Sequence, residues 1–228
     1  MKVVWDTVVK QKMESLALGI GLIKNIEVSS ETKELDSVKN KKIQNIKRNT
    51  NIDEIKDAVI VKAYRTFYWQ SLNIDPTKIR PSGEALTRRV LKDQEIPIIN
   101  NVVYAINLAS IQTQLSFSGF DSSKIKPPLI VRSANPQESF QAIGSRYRVL
   151  SGTELLLSDA EKILCIYAYV DALETIISLK TKDILLINYG APTISGEILE
   201  DGIRLCLSYI QKLGGGEITV SRSVLPEL

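Results

Sequence analysis

Apolar residues between positions 96 and 121 recur at helical spacing and predict a helix with one buried side. Pro97 favours extended backbone in the residues before it, and Asn100 and Asn101 carry side-chain oxygens suited to capping the turn that follows. The helix is predicted over residues 102–111, and its core-facing positions at three- and four-residue spacings are Val102, Val103, Ile106 and Ala109.

Asn107 lies one residue past Ile106, at the margin of this buried side. A buried amide without a hydrogen-bond partner costs about 1 to 3 kcal/mol. Asn107 is therefore expected either to tie down a neighbouring strand or to face a pocket. The sequence leaves both interpretations open.

The pattern elsewhere predicts further helices, followed by a half of the chain that is richer in strands. Helices are predicted over residues 53–69 and 196–213, with a short one beginning at Pro81 and Ser82. Aliphatic and β-branched runs predict strands over residues 16–28, 128–132, 139–143, 154–158, 163–170, 183–188 and 217–224. The glycines at 214–216 follow a helix, so they indicate a helix end and not a phosphate loop.

Two segments have a composition that allows contact with nucleic acid. Residues 29–51 are polar and lysine-rich, and a solvated linker is favoured over a phosphate-binding segment. Phe67, Tyr68 and Trp69 end a predicted helix and could stack on nucleobases. Aromatic residues grouped at a helix end more often close a core, and closure of the core is the favoured interpretation.

Overall composition narrows the chemistry. The 228 residues hold 29 Lys and Arg against 26 Asp and Glu, a net charge of +3, so any nucleic-acid surface must be local. The chain has no histidine, which excludes histidine triads and histidine metal ligands. Cys165 and Cys206 are isolated among apolar residues and are expected to be buried thiols, with no metal site and no cofactor. Any catalysis must use carboxylates, amides, hydroxyls or the substrate itself.

No apolar run approaches the roughly 20 residues that span a bilayer, and the N-terminus has no cationic leader joined to an apolar core. A cytoplasmic protein without a membrane partner is therefore expected.

Residues 75–93 are the most strongly cationic part of the chain and include one short helix. The cationic side chains expected to face outward from it are Arg80, Arg88, Arg89 and Lys92. They predict a surface that binds phosphate or the tRNA backbone. A surface helix held by charge pairs, such as Glu84 with Arg88 four residues later, is an equally open interpretation.

Several segments in one order resemble a known family. They are the run IPIINNVVYAIN, the FD at Phe120 and Asp121, DSSKIKPPLIVRSA, ELLLSD and ETIISLKTKDILL. Together they resemble the tRNA-binding editing module, the third and fourth domains, of the phenylalanyl-tRNA synthetase beta subunit. The similarity covers residues 75–190, about half the chain, and the synthetase's aminoacylation machinery is absent, so the resemblance is to freestanding relatives.

The resemblance implies an α+β fold, with mixed β-sheet layers and packed helices of the β/β/α sandwich type. It divides the chain into residues 1–51, an N-terminal strand segment with the polar connection, and residues 52–228, a tRNA-binding domain.

In the family the amino acid pocket combines a threonine-asparagine pair, a histidine, a glycine-rich strand end and a glutamate. In this chain Asn107 matches the asparagine, whereas Ile106 and Ser118 stand at the threonine and the histidine. Residues 169–172 replace the small residues and glycines, and Ile187 or Asn188 replaces the glutamate. A tyrosine-hydrolysing pocket is therefore not expected, and the polar pocket candidates are Asn107, Ser118, Asp171 and Glu174.

Two functions follow as hypotheses. The first is a tRNA-binding protein that hydrolyses misacylated tRNA in trans, and the alternative is a non-catalytic module that binds RNA or a small ligand. The expected partners are tRNA and an aminoacyl ester or free amino acid, and no DNA is expected. A hydrolase needs at least two convergent polar groups near the ester, and the sequence alone provides Asn107.

Overall fold

The computed structural model describes residues 1–30, 43–144 and 146–226 and confirms the predicted α+β fold. The helices are α1 (Thr7–Lys12), α2 (residues 43–49), α3 (Val59–Gln70), α4 (Ser82–Leu91), α5 (Asn101–Thr113) and α6 (Gly196–Gly214). The first strands are β1 (Val3–Trp5), β2 (Leu18–Lys24), β3 (Ser116–Asp121), β4 (Leu129–Ser133), β5 (Ser139–Ala142) and β6 (Arg146–Val149). The remaining strands are β7 (Leu155–Ser158), β8 (Ile163–Ile166), β9 (Val170–Asp171), β10 (Ile184–Tyr189) and β11 (Glu217–Val224).

Two sheets form the framework. One sheet has the strand order β11-β2-β10-β3 and is antiparallel throughout. The other has the order β1-β4-β7-β8-β9, in which β1 runs parallel to β4 and the remaining pairs are antiparallel. Strands β5 and β6 form a separate hairpin. Residues 1–30 therefore supply a strand to each sheet, and the boundary at residue 51 stays a prediction.

Helix α6 covers one face of the four-stranded sheet at very short range. A β-carbon added to Gly19 in β2 would lie 2.8 Å from Cγ1 of Ile203, and one added to Gly21 would lie 3.0 Å from Cδ1 of Leu207. The two interior glycines of β2 thus allow the helix to approach the strand backbone. Helix α5 packs beside α6 and against β3.

The opposite face of this sheet meets the five-stranded sheet. Tyr189 of β10 stacks edge-on against Tyr167 with ring centroids 4.8 Å apart, and its hydroxyl lies 3.0 Å from the Sγ of Cys165 in β8. Cys165 and Cys206 are free and buried, as the sequence predicts. The layers are therefore sheet, sheet and helices, with the tyrosine cluster between the sheets.

The strand predictions hold for most of the chain. The prediction over 163–170 is wrong in its second half, because β8 ends at Ile166 and a turn precedes β9. The sequence also missed β1, β3, β6 and α1. The helix predicted over 53–69 begins later, at Val59, after a 3-10 turn over Ile55–Asp57.

Helix α6 ends at the glycines, as the sequence predicts. The Gly215 amide donates to the carbonyl of Gln211 at 2.8 Å, and Gly215 has φ of 69°. Glycine adopts this backbone without the steric cost that a β-carbon brings. The chain then turns directly into β11.

The lysine-rich segment lies partly outside the described residues, since residues 31–42 are not described. Residues 43–49 form α2, where Ile43 and Ile46 pack against the core and Lys47 forms an ion pair with Asp93. This end of the segment is thus packed on the protein, whereas the sequence favoured a solvated linker. No helix among the described residues is both long enough and apolar enough to cross a bilayer.

Candidate functional site: a pocket between helix α5 and strand β3

A pocket of about 250 Å³ lies where α5 passes over β3, beside β9 and the chain that follows it. Its polar lining consists of Asn107, Ser118 and Asp171. The apolar lining residues are Ile99, Val103, Ile106, Phe117, Phe120, Ile143, Ala172, Ile176 and Ile177. We call it the α5–β3 pocket. Its volume lies below the roughly 300 to 1,000 Å³ of sites for drug-sized ligands, and therefore suits a group the size of one amino acid.

Two asparagines fix the start of α5 above the pocket. Asn100 is the N-cap, and its Oδ1 accepts from the Val103 amide at 2.8 Å, as the sequence predicts. Asn101 accepts from the Ser29 amide at 3.0 Å and donates its Nδ2 to the carbonyls of Glu27 and Leu213, both at 2.9 Å. Asn101 thus connects α5 to the chain after β2 and to the end of α6, which sets the position of the pocket's helical wall.

Ser118 and Asp171 form the polar centre of the pocket. The Ser118 hydroxyl donates to Oδ1 of Asp171 at 2.6 Å, although 53 positions separate the two residues. Ser118 lies on the edge strand β3 of one sheet and Asp171 on the edge strand β9 of the other. The hydrogen bond therefore joins the two sheet edges directly at the pocket.

The Asp171 carboxyl is in a poorly solvated position. Burial raises its pKa from 3.8 to about 7, and the hydrogen bond from Ser118 acts in the opposite direction by stabilising the carboxylate. At neutral pH the group therefore exists in both protonation states. A carboxyl with this pKa can accept a proton from water and return it to a leaving group.

Asn107 lies at the pocket edge with its amide only loosely held. Its Nδ2 donates to the Pro97 carbonyl at 3.4 Å, which is long for a hydrogen bond. The residue is half-buried. Asn107 thus forms a weak hydrogen bond to a neighbouring segment and also lines the pocket.

We expect Asn107→Ala to lower the free energy of unfolding by less than about 1 kcal/mol, because the hydrogen bond that it removes is long and partly solvated. Binding of a pocket ligand should fall much more. Thermal melting and ligand titration of the same variant separate the two effects. A loss of stability of about 1 to 3 kcal/mol, with binding lost only in proportion to unfolding, would identify Asn107 as a structural tether.

Other residues that the sequence connected with the pocket lie elsewhere. Glu174 is exposed, lines a different cleft and has Oε1 3.7 Å from Nζ of Lys162. Tyr169 lines a further cleft, where Arg148 lies over its ring. Asn188 is buried against α6, with Nδ2 donating to the Leu199 carbonyl at 3.2 Å. The structure therefore brings together Asn107, Ser118 and Asp171 but not Glu174.

The apolar walls are the part that sequence reasoning missed. Phe117 and Phe120 come from β3, which was not predicted, and Ile143 comes from the turn after β5. The run from Ser116 to Asp121 has too few residues and too much serine and glycine for a strong strand signal. Its signal is the alternation of serine and phenylalanine before Gly119.

The cationic group around α4 includes one arginine that does not face outward. Glu84 is completely buried, and its Oε1 accepts from Nε of Arg88 at 2.8 Å. Nη1 of Arg65 in α3 lies 3.1 Å from Oε2 of the same carboxylate. Arg88 also donates to the carbonyl of Ile52 at 3.0 Å. The expectation that all four cations face solvent is therefore wrong at Arg88, which neutralises a buried acid.

The other three cations of that group are exposed. Arg80 lies 3.9 Å from Glu84 at the edge of the buried pair. Arg89 donates from Nε and Nη2 to the carbonyl of Glu95, at 3.2 and 2.9 Å. Lys92 follows at the end of α4 and is exposed. These three side chains remain the candidates for contact with phosphate.

Comparison with known proteins identifies the family of the chain and several relatives that share part of its sequence. The model of the B3/4 domain matches residues 63–208. The phenylalanine–tRNA ligase beta subunit of Aquifex aeolicus (strain VF5) is 36% identical over 118 residues, which are 52% of this chain and 15% of that protein. The beta subunit of Onion yellows phytoplasma (strain OY-M) is 34% identical over 113 residues, 50% of this chain and 14% of that protein. The chain thus spans a small part of these relatives' length.

A solved structure is similar over nearly the whole chain. It is the crystal structure of an N-terminal fragment of the phenylalanyl-tRNA synthetase beta subunit from Pyrococcus horikoshii, with a TM-score of 0.51 and 13% identity. The similarity covers 95% of this chain and 50% of that one. At this identity the likeness concerns the fold alone.

Proposed function

The chain belongs to the B3/4 domain family, and from that premise we propose that it is a tRNA-binding protein that hydrolyses a misacylated tRNA in trans. The aminoacyl group enters the α5–β3 pocket. The observation that carries the proposal is the hydrogen-bonded pair of Ser118 and Asp171 at the centre of an apolar pocket. Together with Asn107 it supplies the convergent polar groups that ester hydrolysis requires.

Asp171 acts as the general base in this proposal. It takes a proton from a water molecule, whose oxygen attacks the carbonyl carbon of the ester, and it then returns the proton to the departing ribose oxygen. Its Oδ1 is held by Ser118, which fixes the orientation of the carboxylate. In this proposal Asn107, which lines the pocket, donates a hydrogen bond to the substrate.

The pocket favours an aliphatic or otherwise apolar side chain. A β-carbon added to Gly119 would lie 2.6 Å from Cδ1 of Ile106 and 2.9 Å from Cδ1 of Ile177, so these isoleucines lie closely over the strand backbone. The lining around them is apolar, so the transfer of an apolar side chain from water into the pocket is favourable. A polar group held among these side chains would lose its hydrogen bonds to water.

The test is a deacylation assay with tRNAs carrying different amino acids, in which aliphatic esters are expected to be hydrolysed fastest. Asp171→Asn keeps the size of the side chain and an oxygen that accepts from Ser118, but removes the base. We expect it to slow hydrolysis about 100- to 10,000-fold. Asp201→Asn, an equivalent change at an exposed position of α6, is the control and should leave the rate unchanged.

The pH dependence distinguishes a base from a binding group. Because the pKa of Asp171 is raised to about 7, the rate should increase from pH 6 to pH 8 as the carboxylate forms. Stability should change in the opposite direction. Between about pH 4 and pH 7 the folded protein holds a proton that the unfolded chain has lost, so the free energy of unfolding decreases as pH rises through this window. Asp171→Asn should abolish this pH dependence of the rate and remove the contribution of Asp171 to the pH dependence of stability.

We also expect slow hydrolysis of tyrosine attached to phenylalanine tRNA. The tyrosine hydroxyl would lie among side chains such as Ile106 and Ile177, and an unpaired buried hydroxyl costs about 1 to 3 kcal/mol. That cost corresponds to roughly a 5- to 150-fold loss relative to an aliphatic ester. Efficient deacylation of this substrate that is lost in Asn107→Ala would contradict the assignment of the pocket as apolar.

Binding of aminoacyl-tRNA or a free amino acid without hydrolysis of any ester in the panel would overturn the catalytic part of the proposal. The protein would then be a non-catalytic binding module. Absence of both binding and hydrolysis would overturn the pocket's assignment altogether.

A further inference from the structure

The outer side of helix α3 is bordered by two adjoining clefts that together form a groove. Their volumes are about 500 Å³ and 310 Å³, and they share Asp57, Lys62, Thr66 and Gln70. None of their lining residues belongs to the α5–β3 pocket. We call this surface the α3 groove. The proposed deacylation chemistry makes no use of it.

An exposed tryptophan forms one wall of the α3 groove. Trp69 leaves 63% of its surface accessible, although Phe67 and Tyr68 immediately before it are buried. The prediction that this aromatic run closes the core is therefore confirmed for Phe67 and Tyr68 and wrong for Trp69. Val59, ten positions earlier on the same helix, is 81% exposed. The exposed indole offers a flat aromatic face on which a planar ligand can stack.

Cationic side chains lie beside this indole. Lys56 and Lys62 are exposed, line the groove and form no ion pair among the described residues. Arg65 also lines it, although its guanidinium is directed to Glu84 and to the carbonyl of Pro76. Asp57 is the acidic residue of the lining. The α3 groove therefore has an excess of positive charge around an exposed aromatic ring.

The α3 groove adjoins the cations of α4. Arg65 belongs to the groove wall and at the same time binds Glu84, which lies on α4 one turn from Arg80 and Arg88. Lys62 and Trp69 are about 10 Å apart along the helix axis. One short strand of nucleic acid can therefore contact both, and its neighbouring phosphates can continue toward the exposed cations of α4.

We propose that the α3 groove binds single-stranded RNA, with one nucleobase stacked on Trp69 and the adjacent phosphates held by Lys56 and Lys62. Stacking on an aromatic ring next to a cationic track is how single strands are bound without sequence readout. Charge complementarity favours RNA over an apolar protein segment, because two lysines without ion-pair partners among the described residues flank the ring. The inference rests on the proposed function only in taking that RNA to be an unpaired part of a tRNA.

The chain has two tryptophans, and this makes a direct test possible. The other one is Trp5, so in a Trp5→Phe variant the tryptophan fluorescence, excited selectively over that of the tyrosines, comes from Trp69 alone. Titration with a mixed-sequence RNA of about eight nucleotides, within the site sizes typical of single-strand binding, is expected to quench that fluorescence. With two phosphates neutralised, the logarithm of the binding constant should fall with the logarithm of salt concentration with a slope of about −1.4.

Variants of the full chain identify the contacts, with fluorescein-labelled RNA as the probe. Trp69→Leu should weaken binding roughly 5- to 150-fold, and Trp69→Phe should restore part of it. Lys62→Gln should weaken binding and make the salt slope shallower by about 0.7. Tyr147→Leu, a matched change of an aromatic residue that is 71% exposed on β6, should have no effect. Melting curves should be unchanged by all four.

Three results would overturn the inference. They are unaltered RNA affinity in Trp69→Leu, protection of Trp69 from acrylamide in the protein without RNA, and quenching by an apolar peptide but not by RNA. The deacylation assay is independent of these outcomes. RNA-dependent quenching without hydrolysis would overturn only the proposed function. Hydrolysis that Trp69→Leu leaves unchanged in rate and in KM would overturn only the identification of the bound RNA as part of the tRNA substrate.

Discussion

Arg88→Ala should lower the free energy of unfolding by about 2 to 4 kcal/mol. The substitution leaves the completely buried Glu84 with Arg65 at 3.1 Å and the more distant Arg80 at 3.9 Å. Removing one partner of a buried ion pair is costly because the remaining charge stays desolvated, and such changes typically cost about 3 to 5 kcal/mol. Because Arg65 is retained, we expect the loss of unfolding free energy to lie toward the lower end of this range. Urea denaturation, read from the midpoint at constant slope, measures it.

The neighbouring residue is the matched control. Arg89→Ala removes the same charge from the same helix, but Arg89 is exposed, and within the described part of the chain its guanidinium bonds only to the carbonyl of Glu95. The substitution should lower the free energy of unfolding by less than about 1 kcal/mol. The affinity of the variant for tRNA should fall and become less sensitive to salt. Equal stability losses in the two variants would show that Arg88 does not hold the buried charge of Glu84. Unchanged tRNA affinity in Arg89→Ala would show that Arg89 of α4 does not contact the phosphates of the tRNA.

The second large effect is expected at Asn101. Asn101→Ala removes its hydrogen bonds with Ser29, Glu27, Leu213 and the amide of Val102, and leaves these backbone groups without that partner. At about 1 kcal/mol each, the loss should total about 3 to 4 kcal/mol. Because these contacts set the start of α5, binding in the α5–β3 pocket should weaken as well.

Asn100→Ser is the control for Asn101, since serine is as good an N-cap as asparagine and the change should alter stability by only a few tenths of a kcal/mol. Calorimetric melting of both variants gives the comparison. If Asn101→Ala melts like Asn100→Ser, the connection between α5, β2 and α6 is not held by this amide. Pocket binding would then be expected to survive in Asn101→Ala.

The two adjacent arginines and the two adjacent asparagines show the same limit of sequence reasoning. The sequence identifies a cationic helix and a capped helix. It does not say that Arg88 pairs with a buried carboxylate while Arg89 is exposed, or that Asn101 bonds to distant parts of the chain while Asn100 caps its own helix. Burial of Glu84 requires Arg65 from α3 as well as Arg88 from α4. Such an arrangement depends on how two helices pack, which local periodicity does not contain.

The pair that carries the proposed chemistry depends even more on the tertiary structure. Ser118 and Asp171 lie on edge strands of different sheets and meet because the sheets stack. The resemblance to a known family made both residues candidates, but it made Glu174 an equal one, and the fold directs Glu174 to another cleft. The proposed catalytic arrangement depends on this contact between Ser118 and Asp171, because a single polar group would not provide it.

The sequence by itself determined the elements whose signals are local. The helical spacing of apolar residues predicted α5 and α6, the glycines predicted the end of α6, and the absence of histidine excluded several chemistries. Only the tertiary structure decided that Arg88 pairs with a buried carboxylate, that Trp69 is exposed and that Asp171 lies beside Ser118. The reason is physical: periodicity records which side of an element is apolar, whereas solvation of a charge or an aromatic ring is set by residues from other elements.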